Sequence, residues 1–292
     1  MRQSFRVRAF FIGFTAAFLC FSTIWMASIL FIHPKTAISS SSASPDTDAA
    51  LYLPDSSDCM TLLLCEDTSS PSLFFLIRFQ PVRGEILLFS FPDTLVLTRE
   101  HVSEPARKIF SSYGIEGIQQ GLQQTFDILP QGYLMVSREN IPLILDSIGP
   151  TRMDLQQELS LVVDGIQLTL QQGLQLLDGE RMIAWLGSQL PTETLSQGEF
   201  LCQWLALCIN QHIALLTTEN SQSLFSTAVN LSKNSLTFSD YDSRRQAANF
   251  LAELCPEPAR VISSEFVRNP DATLSLSDNC ERMLRDAFCD QS

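Results

Sequence analysis

The sequence predicts a mixed α/β domain, a central sheet covered by helices in an α/β/α layering, preceded by one transmembrane helix. Three observations lead there. Residues 60–65, 73–79 and 86–91 are continuous apolar runs of strand length, the pattern of strands covered on both faces. From residue 105 onward, apolar side chains recur at spacings of three and four with short strand-like segments between them, the interleaving of a layered α/β fold. Residues 9–32 run 24 positions without a charge, and at about 1.5 Å per residue they span a hydrocarbon core of about 30 Å.

Taken in order, residues 1–8 carry Arg2, Arg6 and Arg8 and read as a cytoplasmic tail. The far flank of the apolar segment has only His33 and Lys35 before the run Ser39 to Ser42. The positive-inside rule therefore puts the N-terminus in the cytoplasm and the rest of the chain outside, in a single-pass arrangement at the cell membrane. A cleaved signal peptide competes, but its apolar region spans about 7 to 15 residues. Phe18 and Leu19 before Cys20 are too bulky for lipid attachment there. Residues 33–58 turn to Ser, Ala, Asp and Pro, a composition that buries no core and behaves as a tether. Residues 59–292 are long enough for one extracytoplasmic domain with a substantial core.

Within that domain, the first strand ends on Glu66 and Asp67, and Gln80, Pro81 and Gly84 separate the next two. Helical periodicity covers 105–113, 115–126 and 141–148, with a strand at 133–136. Residues 161–163 and 166–168 read as strands turning at Asp164 and Gly165. Helices follow at 179–186 and 199–215, the second apolar nearly all round and so expected to be buried. The chain closes with helices at 222–232 and 240–254, a hairpin around Asn269, Pro270 and Asp271, and a helix at 278–288.

All 32 acidic residues lie beyond position 45, against 15 Lys and Arg once Arg2, Arg6, Arg8 and Lys35 are set aside, so the outer part carries a formal charge of −17. Such a field repels polyanions, and no basic stripe offers phosphate contacts, which excludes a nucleic-acid partner. Seven of the eight cysteines lie outside the apolar segment, an odd number, and no C-x-x-C occurs. Buried thiols are the expectation, and a long-range bridge from Cys255 to Cys280 or Cys289 is the alternative. His33, His101 and His212 are the only histidines, with no spacing suited to zinc. No G-x-S-x-G or P-loop string is present. Asp178 and Glu180 flank Gly179 at a helix start, where acids are electrostatically favoured. Arg244 with Arg245, and Arg282 with Arg285, fall on helix faces whose alternation points to solvent.

Several strings carry a resemblance. Leu62-Leu63-Leu64-Cys65-Glu66-Asp67 closes the first strand, and residues 86–94 read ILLFSFPDT. Tyr113-Gly114 precedes a helix to Phe126, and Gly132-Tyr133-Leu134-Met135-Val136, residues 141–148 and Gly149 follow. Leu176-Leu177-Asp178-Gly179-Glu180-Arg181 then opens the helix that carries Trp185. In this order they resemble the LytR/CpsA/Psr (LCP) family over residues 58–292. That resemblance implies a layered α/β domain outside the cell, anchored by one helix. It also implies transfer of a glycopolymer from a polyprenyl-pyrophosphate carrier to the cell wall, with arginines gripping the pyrophosphate and carboxylates holding magnesium, since phosphoryl transfer is mainly electrostatic positioning.

The family's functional residues are largely absent. Its Arg-Ser-Asp falls on Ser70, Pro71 and Ser72, and its Pro-Arg-Asp-Thr has become Pro92-Asp93-Thr94. Its Arg-x-Arg falls on Gly187 and Gln189, and its Arg-x-x-Arg-Gln on Glu199 to Gln203, again without arginine. Asp67, Asp93 and Gln203 are what remains at family positions. Asp67 has the bland role of a turn or cap residue, and Gln203 that of satisfying a buried hydrogen bond. The expectation is a degenerate, catalytically inactive relative with a binding or scaffolding role in the envelope and no cofactor. A working phosphotransferase that uses Arg78, Arg83 or Arg99, with magnesium, is one alternative. A module that binds a polyprenyl lipid without reacting it is another, and an apolar space between sheet and helices is the mark of it. Expected partners are the membrane, through residues 9–32, and a polyprenyl lipid or envelope proteins.

Overall fold

A computed structural model describes residues 52–163, 166–216 and 221–289. The expected transmembrane segment at 9–32 and the turn at Asp164-Gly165 lie outside these residues. Among the described residues, no helix is long and apolar enough to cross a membrane.

The centre is a six-stranded mixed sheet. Strands β1 (Met60–Glu66), β2 (Leu73–Gln80) and β3 (Glu85–Pro92) form its antiparallel middle, with Leu63 opposite Leu76 and Ile77 opposite Leu88. A hairpin follows, β4 (Val96–Arg99) and β5 (Val102–Pro105), then helix α1 (Ala106–Phe126) and β6 (Gly132–Val136), which runs parallel to β1. Gly114 breaks the helical geometry of α1 at φ 65°, a value that glycine adopts without steric cost. The break separates the stretches 106–113 and 115–126 that the periodicity predicts as two helices.

Helix α2 (Ile141–Ile148), strands β7 (Thr151–Leu155), β8 (Leu159–Val163), β9 (Ile166–Leu170) and β10 (Gly173–Leu177), and helix α3 (Gly179–Gln189) form a satellite. Its core holds Met153, Leu155, Leu161, Leu170, Met182 and Leu186. Asp178 caps α3, its side chain accepting from the Arg181 amide at 3.0 Å, as the acids at that helix start imply. Helices α4 (Thr194–Leu216) and α5 (Ser221–Asn230) lead to the edge strand β11 (Ser232–Asn234). Helix α6 (Phe238–Leu254), the opposite edge strand β12 (Ala259–Val261), the hairpin β13 (Phe266–Arg268) with β14 (Leu274–Leu276), and α7 (Asp278–Phe288) complete the chain.

The twofold period of the strands divides the core between two faces. Leu63, Phe74, Leu76, Leu87, Phe89 and Phe91 point to one face, where they meet Ile109 and Ile118 of α1 and Leu284 of α7. Phe74 stacks on Phe91 with ring centroids 5.2 Å apart. Ile86 and Leu88 point to the other, against Cys202, Ala206 and Ile213 of α4 and Leu251 of α6. Both faces are covered, as the continuous apolar runs predict.

Three expectations are corrected. Residues 52–58, placed in the tether by composition, belong to the fold at their end: a 3-10 turn at Ser56–Asp58 is closed by an Asp55 and Asp58 capping box, and the Tyr52 hydroxyl donates to the buried Asp58 carboxylate at 2.7 Å. A bridge from Cys255 to Cys280 or Cys289 does not form, because Cys255 packs on the α4 and α6 face of the sheet while the other two pack on the α1 and α7 face. Helix α4 is not buried all round. Ser196, Gln203, Leu207, Gln211 and Ala214 form an exposed stripe along it.

Candidate functional site

The carboxyl ends of β1 and β3 and the start of β2 make one end of the sheet, and the surviving family positions are judged there. The Asp67 amide donates to the Val136 carbonyl at 2.9 Å, continuing the β1–β6 pairing by one residue. Its carboxylate accepts from Lys233 Nζ at 2.8 Å. Asp93 donates its amide to the Ser72 carbonyl at 3.0 Å and accepts from the Arg107 amide at 2.8 Å. Burial raises the pKa of its carboxyl, and the positive charge of Arg107 opposes that rise. Asp67 and Asp93 thus sit in one row across the strand ends, but with β2 between them, about 10 Å apart at the usual strand spacing. Gln203 does not join them. It lies on the exposed stripe of α4, which corrects the expectation of a buried hydrogen bond: the alternation there turns Cys202, fully buried, inward instead.

Of the arginines of the alternative reading, Arg78 and Arg83 lie towards the other end of β2 and Arg99 is engaged elsewhere. Arg78 is 1% exposed and donates from Nη1 to Thr61 Oγ1 at 2.9 Å. It lies near the other end of β2, about 20 Å along the strand at about 3.3 Å per residue. Arg83 ends the 3-10 turn Pro81–Arg83 between β2 and β3, beyond Arg78. Arg99 stands at the tip of the β4–β5 hairpin, its Cζ 3.6 Å from the Tyr113 ring centroid and its Nε donating to Gln120 Oε1 at 2.8 Å. Asp93 instead lines a cavity of about 340 Å³ with Thr94, Glu193, Arg268 and Ala272.

A magnesium ion demands near-octahedral oxygen ligands at about 2.0–2.1 Å. Asp67 is engaged by Lys233, and Asp93 is too far away to share an ion with it. The residues present do not fit that metal, and among the described residues no group of three His, Cys, Asp or Glu side chains gathers for one.

Three thiols are sequestered: burial pushes Cys65 and Cys202 up to about 12 and Cys208 to about 11, so none of these three supplies a thiolate at neutral pH. His212 is 6% exposed, with Nε2 3.3 Å from Thr151 Oγ1 and with Nδ1 unpaired among the described residues. Burial lowers its pKa, so the ring is neutral at pH 7.

A second space lies on the α4 and α6 side of the sheet. Met60 and Leu62 of β1 and Ile77 and Phe79 of β2 floor a cavity of about 260 Å³, roofed by Phe225 of α5, Leu236, and Tyr241 and Ala248 of α6. Phe225 and Tyr241 stack at 5.0 Å, and the Tyr241 hydroxyl meets Ser221 Oγ at 2.5 Å, which holds α5 and α6 together over the gap. Asp240, Arg244 and Arg245 complete the lining. Arg245 is exposed, as the helix alternation predicts, but Arg244 is half-buried, which the alternation does not reveal. Sequence patterning misses this cavity because its walls come from four separated segments.

The sequence matches no family model and no curated protein. Solved structures do resemble the chain. A candidate transcription regulator from Eubacterium siraeum superposes with a TM-score of 0.69, at 16% identity over 85% of this chain and 97% of that one. B. subtilis TagV gives 0.59 at 12% identity over 79% and 94%. TagT bound to LIIa-WTA gives 0.57 at 14% identity over 79% and 89%. The chain shares their fold. On that shared architecture the strand end holds Asp67 paired with Lys233 and a cavity lined by Asp93, Glu193 and Arg268.

Proposed function

We propose that this chain is a membrane-anchored, extracytoplasmic LCP-like protein of the cell envelope, which binds a lipid-linked ligand in wall-polymer assembly without carrying out phosphoryl transfer. The observation that carries this reading is the contrast between the two spaces. The sheet and helices enclose an apolar cavity of about 260 Å³, while at the strand end Asp67 is paired with Lys233 and does not converge with Asp93. Loss of a single donor to a developing oxyanion costs about 3–4 kcal/mol in other enzymes, so the absence of four or five cationic groups abolishes such a reaction rather than slowing it. A working phosphotransferase is disfavoured for Arg78 and Arg83 by their place towards the far end of β2, and for Arg99 by its engagement with Gln120, Glu100 and the Tyr113 ring. The anchor itself is proposed from residues 9–32 and their flanking arginines.

The reading is tested by titrating the full chain with a polyprenyl phosphate and comparing Ala248→Trp, which fills the cavity. Saturable binding that weakens at least tenfold in the variant is expected. Binding unchanged by Ala248→Trp would remove the cavity from the account.

A further inference from the structure

We propose that the outer edge of β10 pairs antiparallel with the same strand of a second copy of this chain, joining two β7–β10 ribbons into one continuous sheet about a twofold axis at Gln175. The β7–β10 and β8–β9 ladders are successive parts of one hairpin, with Leu155 opposite Gly173 and Leu159 opposite Leu170. One edge of this ribbon is blocked. Gln211 of α4 lies along β7 as a neighbouring strand would, its Oε1 accepting from the Arg152 amide and its Nε2 donating to the Arg152 carbonyl, both at 2.8 Å. The other edge is open: among the described residues, β9 and β10 make no hydrogen bond outside the ribbon. Sheets that stay unpaired blunt such an edge with charge, proline or a covering segment. Residues 166–177 carry neither charge nor proline.

The Gln211 contact fixes which backbone groups face outward. Arg152 turns its amide and carbonyl away from β10, so Leu176 opposite it turns its own away from β7, and Leu174, two residues earlier, does the same. The same two residues are 57% and 69% exposed, so backbone edge and apolar side chains are presented together. A twofold axis at Gln175 sets Leu174 of each copy against Leu176 of the other, each pair exchanging both of its backbone hydrogen bonds and packing leucine on leucine. Charge favours a second copy as the occupant. The chain carries a formal charge of −13, so two copies approach only where acids do not meet. In this register Asp178 falls opposite Gln172 rather than opposite another acid, and Asp154 beside Leu174 and Arg152 beside Leu176 end each leucine row with charges of opposite sign. The contact is small, which places the association in the weak, reversible class.

Sedimentation equilibrium of the full chain in detergent, over a roughly hundredfold range of concentration, tests the pairing. The mass is expected to rise from one copy towards two. Leu174→Glu with Leu176→Glu sets carboxylates against carboxylates across the axis and is expected to weaken association at least about tenfold, as is Leu174→Lys with Leu176→Lys, and mixing the two double variants is expected to restore it. Gln175→Cys places two thiols in a non-hydrogen-bonded pair, Cα atoms about 4.5 Å apart and within disulfide reach, so mild oxidation is expected to give a covalent dimer on a non-reducing gel. Thr169→Cys, on the same strand but far from the axis, is expected not to. A single-copy mass throughout, as an edge reserved for another protein's strand would give, would overturn the proposal. So would a dimer that persists in both double variants, a mixture of them that stays monomeric, or Thr169→Cys cross-linking as readily as Gln175→Cys.

Discussion

Lys233 closes off Asp67 by reaching across from the edge strand β11, and it does so from a side chain 70% exposed. An ion pair in that setting contributes about 0.5 kcal/mol or less. Lys233→Ala is therefore expected to leave thermal stability nearly unchanged and, with no second carboxylate within reach, to gain no protection from added magnesium in a thermal-shift assay. A large magnesium-dependent stabilisation would show a metal site that the observed geometry denies. His212 makes the opposite kind of prediction. Its folded-state pKa lies below the unfolded value of about 6.5, so the unfolded chain binds more protons in between and stability rises with pH. The full stability holds above pH 6.5 and declines as pH falls below it. Melting temperatures followed from pH 7.5 to 5.5 should drop, and His212→Gln should flatten that drop. At this scale the sequence was legible where charge patterns decide, as with the Asp178 cap. It was not legible at Asp67, because Lys233 lies 166 residues away in sequence, nor at Gln203, where only the packing of α4 decides which stripe faces water.

Helix α3 turns on a close approach. A Cβ at Gly179 would collide with the carbonyl of Pro142 in α2, and the Gly179 amide donates to Asp146 Oδ1 at 2.7 Å, so the two helices meet there backbone to backbone. Gly179→Ala is expected to cost about 1–3 kcal/mol in a denaturant melt, as overpacking does. Gly187, on the same helix, has nothing within 4 Å of its Cβ position, and Gly187→Ala should instead stabilise by up to about 1 kcal/mol. Destabilisation by both would mean that helix propensity, not the Pro142 contact, misdescribes this element. The long periodic elements were readable from spacing alone, the break at Gly114 included. The β4–β5 hairpin was not. Its turn places Glu100 and His101 at φ 51° and 67°, left-handed positions that Asn and Gly usually mark, so no turn signal stood in the sequence. The edge strands β11 and β12 are three residues each and owe their existence to the sheet they join rather than to any pattern of their own.

The chain shares its fold with TagV and TagT over 79% of its length. Apolar runs and helical periods specify such an architecture across many sequences, which is why the layering could be read from one chain at 12–16% identity to the solved structures. The cavity could not, because a void between sheet and helices depends on what fails to fill it. The central claim, that a ligand is bound but not transferred, is most directly tested by incubating the full chain with a polyprenyl-pyrophosphate-linked saccharide, with and without magnesium, and measuring both binding and release of the carrier. The account predicts saturable binding, indifferent to magnesium, with no carrier released. Magnesium-dependent release of the carrier would contradict it.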